Sequence, residues 1–146
     1  MNRYNIYLAG GISKFGRENF DEGNDWRIYI KKKLESIDCD YKVHCINPND
    51  YHSFLNNNTY DSQGEIMEFD LDKVRKSDLI ILNFNDINSL GTMAEQTVAY
   101  ERRTPVIGLC KESDKDKLHP WQIKMSHKIF NNIYDLIIYV IDYYLN

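Results

Sequence analysis

Asp78-Leu79-Ile80-Ile81-Leu82-Asn83 sets four aliphatic residues between polar ones, and the turn Asn88-Ser89-Leu90-Gly91-Thr92 follows it and opens a helical stretch through Arg102. A short apolar run bounded by turn residues reads as a buried strand. Working outward, the alternation repeats. Upstream, residues 64–77 read as a helix and residues 41–46 as a strand. Residues 18–37 form an amphipathic helix, with Trp26, Ile30, Leu34 and Ile37 four, four and three apart. Residues 4–9 make the first strand, which runs into Gly10 and Gly11. Downstream, residues 105–109 read as a strand, residues 119–125 as a short element and residues 128–130 as an edge strand. The last helix carries Ile133, Leu136, Ile137, Val140, Ile141 and Tyr144 at spacings of three and four. Strand and helix in alternation predict a Rossmann-like, flavodoxin-like α/β fold: a doubly wound sheet of about five mostly parallel strands with helices on both faces, in a single domain over residues 1–146. The long polar connection at residues 47–63 is expected to cover a site.

Composition narrows the function. With 146 residues the chain can bury an ordinary core without metal or disulfide staples. The net charge of −4 and a longest basic run of only Lys31 to Lys33 leave no broad positive surface for a nucleic-acid polymer. A small phosphorylated ligand stays open, because a few main-chain amides and one or two cations hold it locally. Cys39, Cys45 and Cys110 have neither disulfide-framework nor zinc-site spacing and read as reduced thiols. His44, His52, His119 and His127 show no ligand spacing either. Residues 1–11 lack the pattern of a secretory signal, and the most apolar stretch, residues 133–145, is short and interrupted by Asp135 and Asp142. The expectation is a cytoplasmic protein without a membrane span.

In parallel α/β sheets ligands bind beyond the carboxyl ends of the strands, which directs attention to the loops after each strand. Glu95 follows the most apolar strand and lies one turn before Val98 and Ala99 on the inward stripe of its helix. A capping box with Thr92 is the plain reading of Thr-x-x-Glu, and a nucleophile or base is the functional one. Asp70 falls four residues after Ile66 and four before Val74, on the apolar face of its helix. A charge there either caps at the rim or faces a cleft. Two carboxylates in one cleft suit glycosidic cleavage, one meeting the sugar carbon and the other handling the proton. The turn at residues 88–92 lacks the P-loop lysine and the G-x-G-x-x-G pattern, yet it leads into a helix N-terminus where amides and Ser89 favour an anion. Gly10, Gly11, Ser13, Lys14 and Arg17 form a second candidate anion loop, and Trp121 and Tyr51 are candidates for stacking on a base.

Three segments together resemble the nucleoside 2-deoxyribosyltransferase superfamily, which includes 2′-deoxynucleoside 5′-phosphate N-hydrolases and cytidylate N-glycosidases. They are Ile6-Tyr7-Leu8-Ala9-Gly10-Gly11, Asp70-Leu71 ahead of Ser77-Asp78-Leu79-Ile80-Ile81-Leu82, and Ser89-Leu90-Gly91-Thr92-x-x-Glu95 with Ala99. The resemblance implies Glu95 as nucleophile at the anomeric carbon, Asp70 as general acid and base, and Tyr7 as a third catalytic residue. It implies substrate binding by Gly10, Gly11, Ser13, Arg17, Ser89, Gly91 and Thr92, with no metal or organic cofactor. Transferases of this family typically carry an acid where Ser89 stands, and the phosphate-using hydrolases carry Ser. A carboxylate there repels a 5′-phosphate and a hydroxyl at a helix N-terminus binds one, so an N-glycosidase of a nucleoside 5′-monophosphate is the expected activity. The alternatives are base exchange on 2′-deoxynucleosides, a nucleotide-binding module without turnover, and an NAD glycohydrolase. The partners implied are a small nucleoside or nucleotide and other copies of the chain, in a homodimer or higher homo-oligomer.

Overall fold

The computed structural model describes residues 1–12, 19–51 and 63–146. Five strands run through it: β1 (Asn2–Gly10), β2 (Tyr41–Ile46), β3 (Leu79–Asn83), β4 (Val106–Leu109) and β5 (Lys128–Phe130). Every pairing is parallel and the order is β2-β1-β3-β4-β5. Parallel neighbours need crossover connections, and helices supply them: α1 (Phe20–Glu35), α2 (Gln63–Arg75), α3 (Leu90–Glu101), the short α4 (Pro120–Lys124) and α5 (Ile133–Val140), which continues into a π-helical turn at Ile141–Leu145.

The winding reverses between β1 and β3. After β1 the chain moves outward to β2, and after β3 it moves the other way to β4. In sheets of this kind the crevice at the carboxyl ends of the strands where the winding reverses is where ligands bind.

Alternation along the strands sorts the core into two layers. Ile6 and Leu8 of β1, Leu79 and Ile81 of β3 and Ile107 of β4 meet Trp26, Ile30 and Leu34 of α1 and Leu136, Ile137 and Val140 of α5. Tyr7 and Ala9, Ile80 and Leu82, and Val106 meet Val74 of α2 and Ala99 of α3 on the opposite face. The predicted doubly wound sheet is therefore present, with all five strands parallel. Helix ends move by a few residues. α3 begins at Leu90 rather than Thr92 because Ser89 supplies the cap.

Candidate active site

The crevice between β1 and β3 is built from residues that the strand periodicity fixes in direction. Tyr7 is an inward residue of β1 on the α2/α3 face and is fully buried. One turn into α3, Glu95 turns back toward the sheet, and the Tyr7 hydroxyl donates a hydrogen bond to its Oε2. Asp70, half-buried on α2, lies close enough for its charge to act on both Tyr7 and Glu95. The two carboxylates and the phenol expected from the sequence thus come together from three elements.

The electrostatics follow from burial. Withdrawal from water pushes the Glu95 carboxyl up to about 8, helped by the charge of Asp70 and opposed by the Tyr7 hydrogen bond and by Arg27. Tyr7 is held well above its ordinary value, first by burial and then by the charges of Glu95 and Asp70. Arg27, inward on α1, is lowered to about 10 by burial, with Tyr7, Glu95 and Asp70 opposing the shift.

At the head of α3 the capping box read for Thr92 and Glu95 does not form. Ser89 is the N-cap: its Oγ accepts from the Thr92 amide at 3.3 Å and from Thr92 Oγ1 at 2.9 Å. Thr92 is therefore the third residue of the helix, and Glu95, three further on, is too deep to reach a free amide. Its partner across the crevice is Tyr7. Gly91 is exposed, with open space where a side chain would stand. The Gly11 amide donates to Asn85 Oδ1 at 2.9 Å, which ties the end of β1 to the β3–α3 connection. A Cβ on Gly11 would fall 2.7 Å from Asp86 Cβ, and one on Gly10 would fall 2.9 Å from Trp26 Cζ2. A side chain at either position would force these neighbours to shift.

Ser13, Lys14, Arg17 and His52 lie outside the described residues. Tyr51 packs its ring on Phe69 at 5.0 Å, while Trp121 is exposed beside the ring of His119. Two of the described histidines have structural partners: His119 caps α4 and His44 neighbours Glu35. The three cysteines are free thiols, and among the described residues no His, Cys, Asp and Glu cluster could hold a metal ion. No described helix is long and apolar enough to cross a membrane.

Sequence reasoning missed Arg27, Asn85 and Gln96. Arg27 carried a signal, since it precedes Ile30 by three and Leu34 by seven, the same test that singled out Asp70. Gln96 is buried and donates to the Gln122 carbonyl at 3.1 Å and Ser126 Oγ at 3.0 Å, while Gln122 Nε2 donates to the Ile87 carbonyl at 3.1 Å. That network fixes α4 against α3 and the β3–α3 connection. No pattern in the sequence marked it.

The sequence matches no protein-family model and no curated protein sequence. Solved structures do share the fold. A conserved protein from Enterococcus faecalis V583 superposes with a TM-score of 0.73 at 18% identity, covering 93% of this chain and 96% of that one. A 2-deoxyribosyltransferase from Leishmania mexicana gives 0.68 at 16% identity over 97% and 99% of the two chains. The CMP N-glycosidase of Clostridium botulinum gives 0.55 at 18% identity over 95% and 99%. The chain has the fold of these three structures, two of which are a 2-deoxyribosyltransferase and a CMP N-glycosidase.

Proposed function

We propose that this chain cleaves the N-glycosidic bond of a (2′-deoxy)nucleoside 5′-monophosphate, releasing free base and sugar phosphate. The observation that carries the reading is Glu95, buried at the switch point of the sheet, hydrogen-bonded by Tyr7 and facing the charge of Asp70. In the ionised form one Glu95 oxygen bonds to C1′ as the C1′–N bond breaks, and Asp70 delivers a proton to the departing base. Water then forms the new C1′–O bond, the bond to Glu95 breaks, and the proton of the water returns to Asp70. Tyr7 holds the nucleophilic carboxylate in line and stabilises its charge.

The preference for a monophosphate is supported by Ser89. Its oxygen accepts two hydrogen bonds within the cap, which leaves its own hydrogen to donate, at a helix N-terminus with open space over Gly91. Base exchange on nucleosides is the second reading, favoured by the deoxyribosyltransferase that shares the fold. The test is product chromatography after incubation with deoxynucleosides, their 5′-monophosphates and ribonucleotides, with and without a second free base, beside Glu95→Ala. Base released from monophosphates and lost in the variant supports the proposal. Exchange on unphosphorylated deoxynucleosides replaces it with the transferase. The reading includes self-association of the chain, which light scattering measures.

A further inference from the structure

Arg27 is fully buried, and among the described residues no carboxylate lies within ion-pair distance of it. A buried charge without an ion pair costs free energy unless main-chain dipoles meet it. Three do. Its guanidinium donates to the Gly23 carbonyl one turn back, from Nε to the Leu8 carbonyl at 3.1 Å, and from Nη2 to the Gly10 carbonyl at 2.9 Å.

The last two acceptors follow from the sheet. In a parallel strand successive carbonyls point to opposite neighbours. The Asn5 carbonyl faces β3, where it accepts from the Asp78 amide, so those of Leu8 and Gly10 face the side of β2. The register with β2 ends at Tyr7 and Ile46, and Pro48, two residues on, has no amide hydrogen to give. Arg27 takes the place of the missing strand. Its Cζ lies 4.7 Å from the centroid of the Trp26 ring, and the same ring closes over Gly10. The guanidinium reaches the end of β1 from the α1 face, while Tyr7 and Glu95 meet on the α2/α3 face. It therefore acts behind the site, not on the substrate.

We infer that Arg27 is a positioning residue of the site: it holds the end of β1, which carries Tyr7 and the Gly10–Gly11 turn, and it supplies the buried positive charge against which Glu95 ionises. Among the described residues the charged or titratable groups acting on Glu95 are Tyr7 from β1, Asp70 from α2 and Arg27 from α1, and of these Arg27 alone favours the carboxylate by its charge. The link to turnover rests on the proposed cleavage; the effect on Glu95 does not.

NMR titration of isotope-labelled glutamate, with Glu95→Gln assigning the resonance, reads that effect directly in the parent, Arg27→Lys and Arg27→Gln. The expected midpoint rises in Arg27→Gln and stays at the parent value in Arg27→Lys. A purely structural role would lower the melting temperature and leave the midpoint in place; an unmoved midpoint in folded Arg27→Gln overturns the inference. If that variant does not fold, the guanidinium nitrogen resonances of the unsubstituted protein decide. They should shift with the Glu95 midpoint, and a flat guanidinium signal across it overturns the inference. A midpoint that rises in a protein that releases no base from any nucleotide keeps the role of Arg27 and sinks the proposed reaction.

Discussion

Helices α3 and α5 pack on opposite faces of one sheet, and their buried residues differ in kind. α5 buries Leu136, Ile137 and Val140, all aliphatic. α3 buries Thr92, Glu95, Gln96 and Ala99, so only one of its four buried residues is apolar. Burial of aliphatic surface stabilises, at roughly 25 cal/mol for each Å² removed from water. Burial of a carboxylate destabilises wherever that group is charged. One helix therefore holds the fold together, and the other carries a polar stripe that the fold must tolerate.

Substitutions can break that division. On the proposed mechanism Glu95→Ala should lower base release by about a thousandfold or more, with the fold retained in circular dichroism. Leu136→Ala on α5 should do the reverse. It opens a cavity at a fully buried site, costing about 3 kcal/mol, and should lower the melting temperature by about 10 °C without changing turnover of the folded protein.

Tyr7→Phe lies between the two. Removing the hydroxyl that donates to Glu95 should slow turnover by about 10- to 100-fold and move the rising limb of the pH–rate profile to higher pH, because that hydrogen bond favours the carboxylate. In the parent the limb should rise through about 8.

The same shift predicts a stability trend. Folding raises the Glu95 carboxyl from 4.5 to about 8, so its contribution is fully present below 4.5 and is lost as pH rises through about 8. Glu95→Gln, which cannot ionise, should gain melting temperature relative to the parent by a few degrees as pH rises across that window, and calorimetry at both ends reads it. Ser89→Ala should have the smallest effect: about 1 kcal/mol of stability from the lost cap, with KM for a monophosphate raised more than kcat is lowered.

Much of this arrangement was legible beforehand. The strand at Leu79–Asn83 and the amphipathic stripes of α1 and α5 announce themselves because periodic burial leaves a periodic sequence. Asp70 and Glu95 stood out by the same rule, as charges on stripes that should be apolar. The start of α3 was misread because Thr-x-x-Glu and Ser-x-x-Thr overlap in one turn, and only the main-chain dihedrals choose between them. Arg27 broke its stripe as clearly as Asp70, but a long side chain beside a tryptophan also fits the rim of an amphipathic helix.

What the sequence determined by itself was the alternation of elements, the two-sided burial of the central strands and the loops where a ligand belongs. Local spacing and hydrophobicity are properties of one segment at a time. What only the tertiary structure decided was which side chains meet: Tyr7 with Glu95, Gly11 with Asn85, Gln96 with Gln122, and Arg27 with the carbonyls of Leu8 and Gly10. Those pairs are 17 to 88 residues apart in the chain. They exist because the sheet reverses its winding between β1 and β3, and a contact made by topology leaves no period in the sequence.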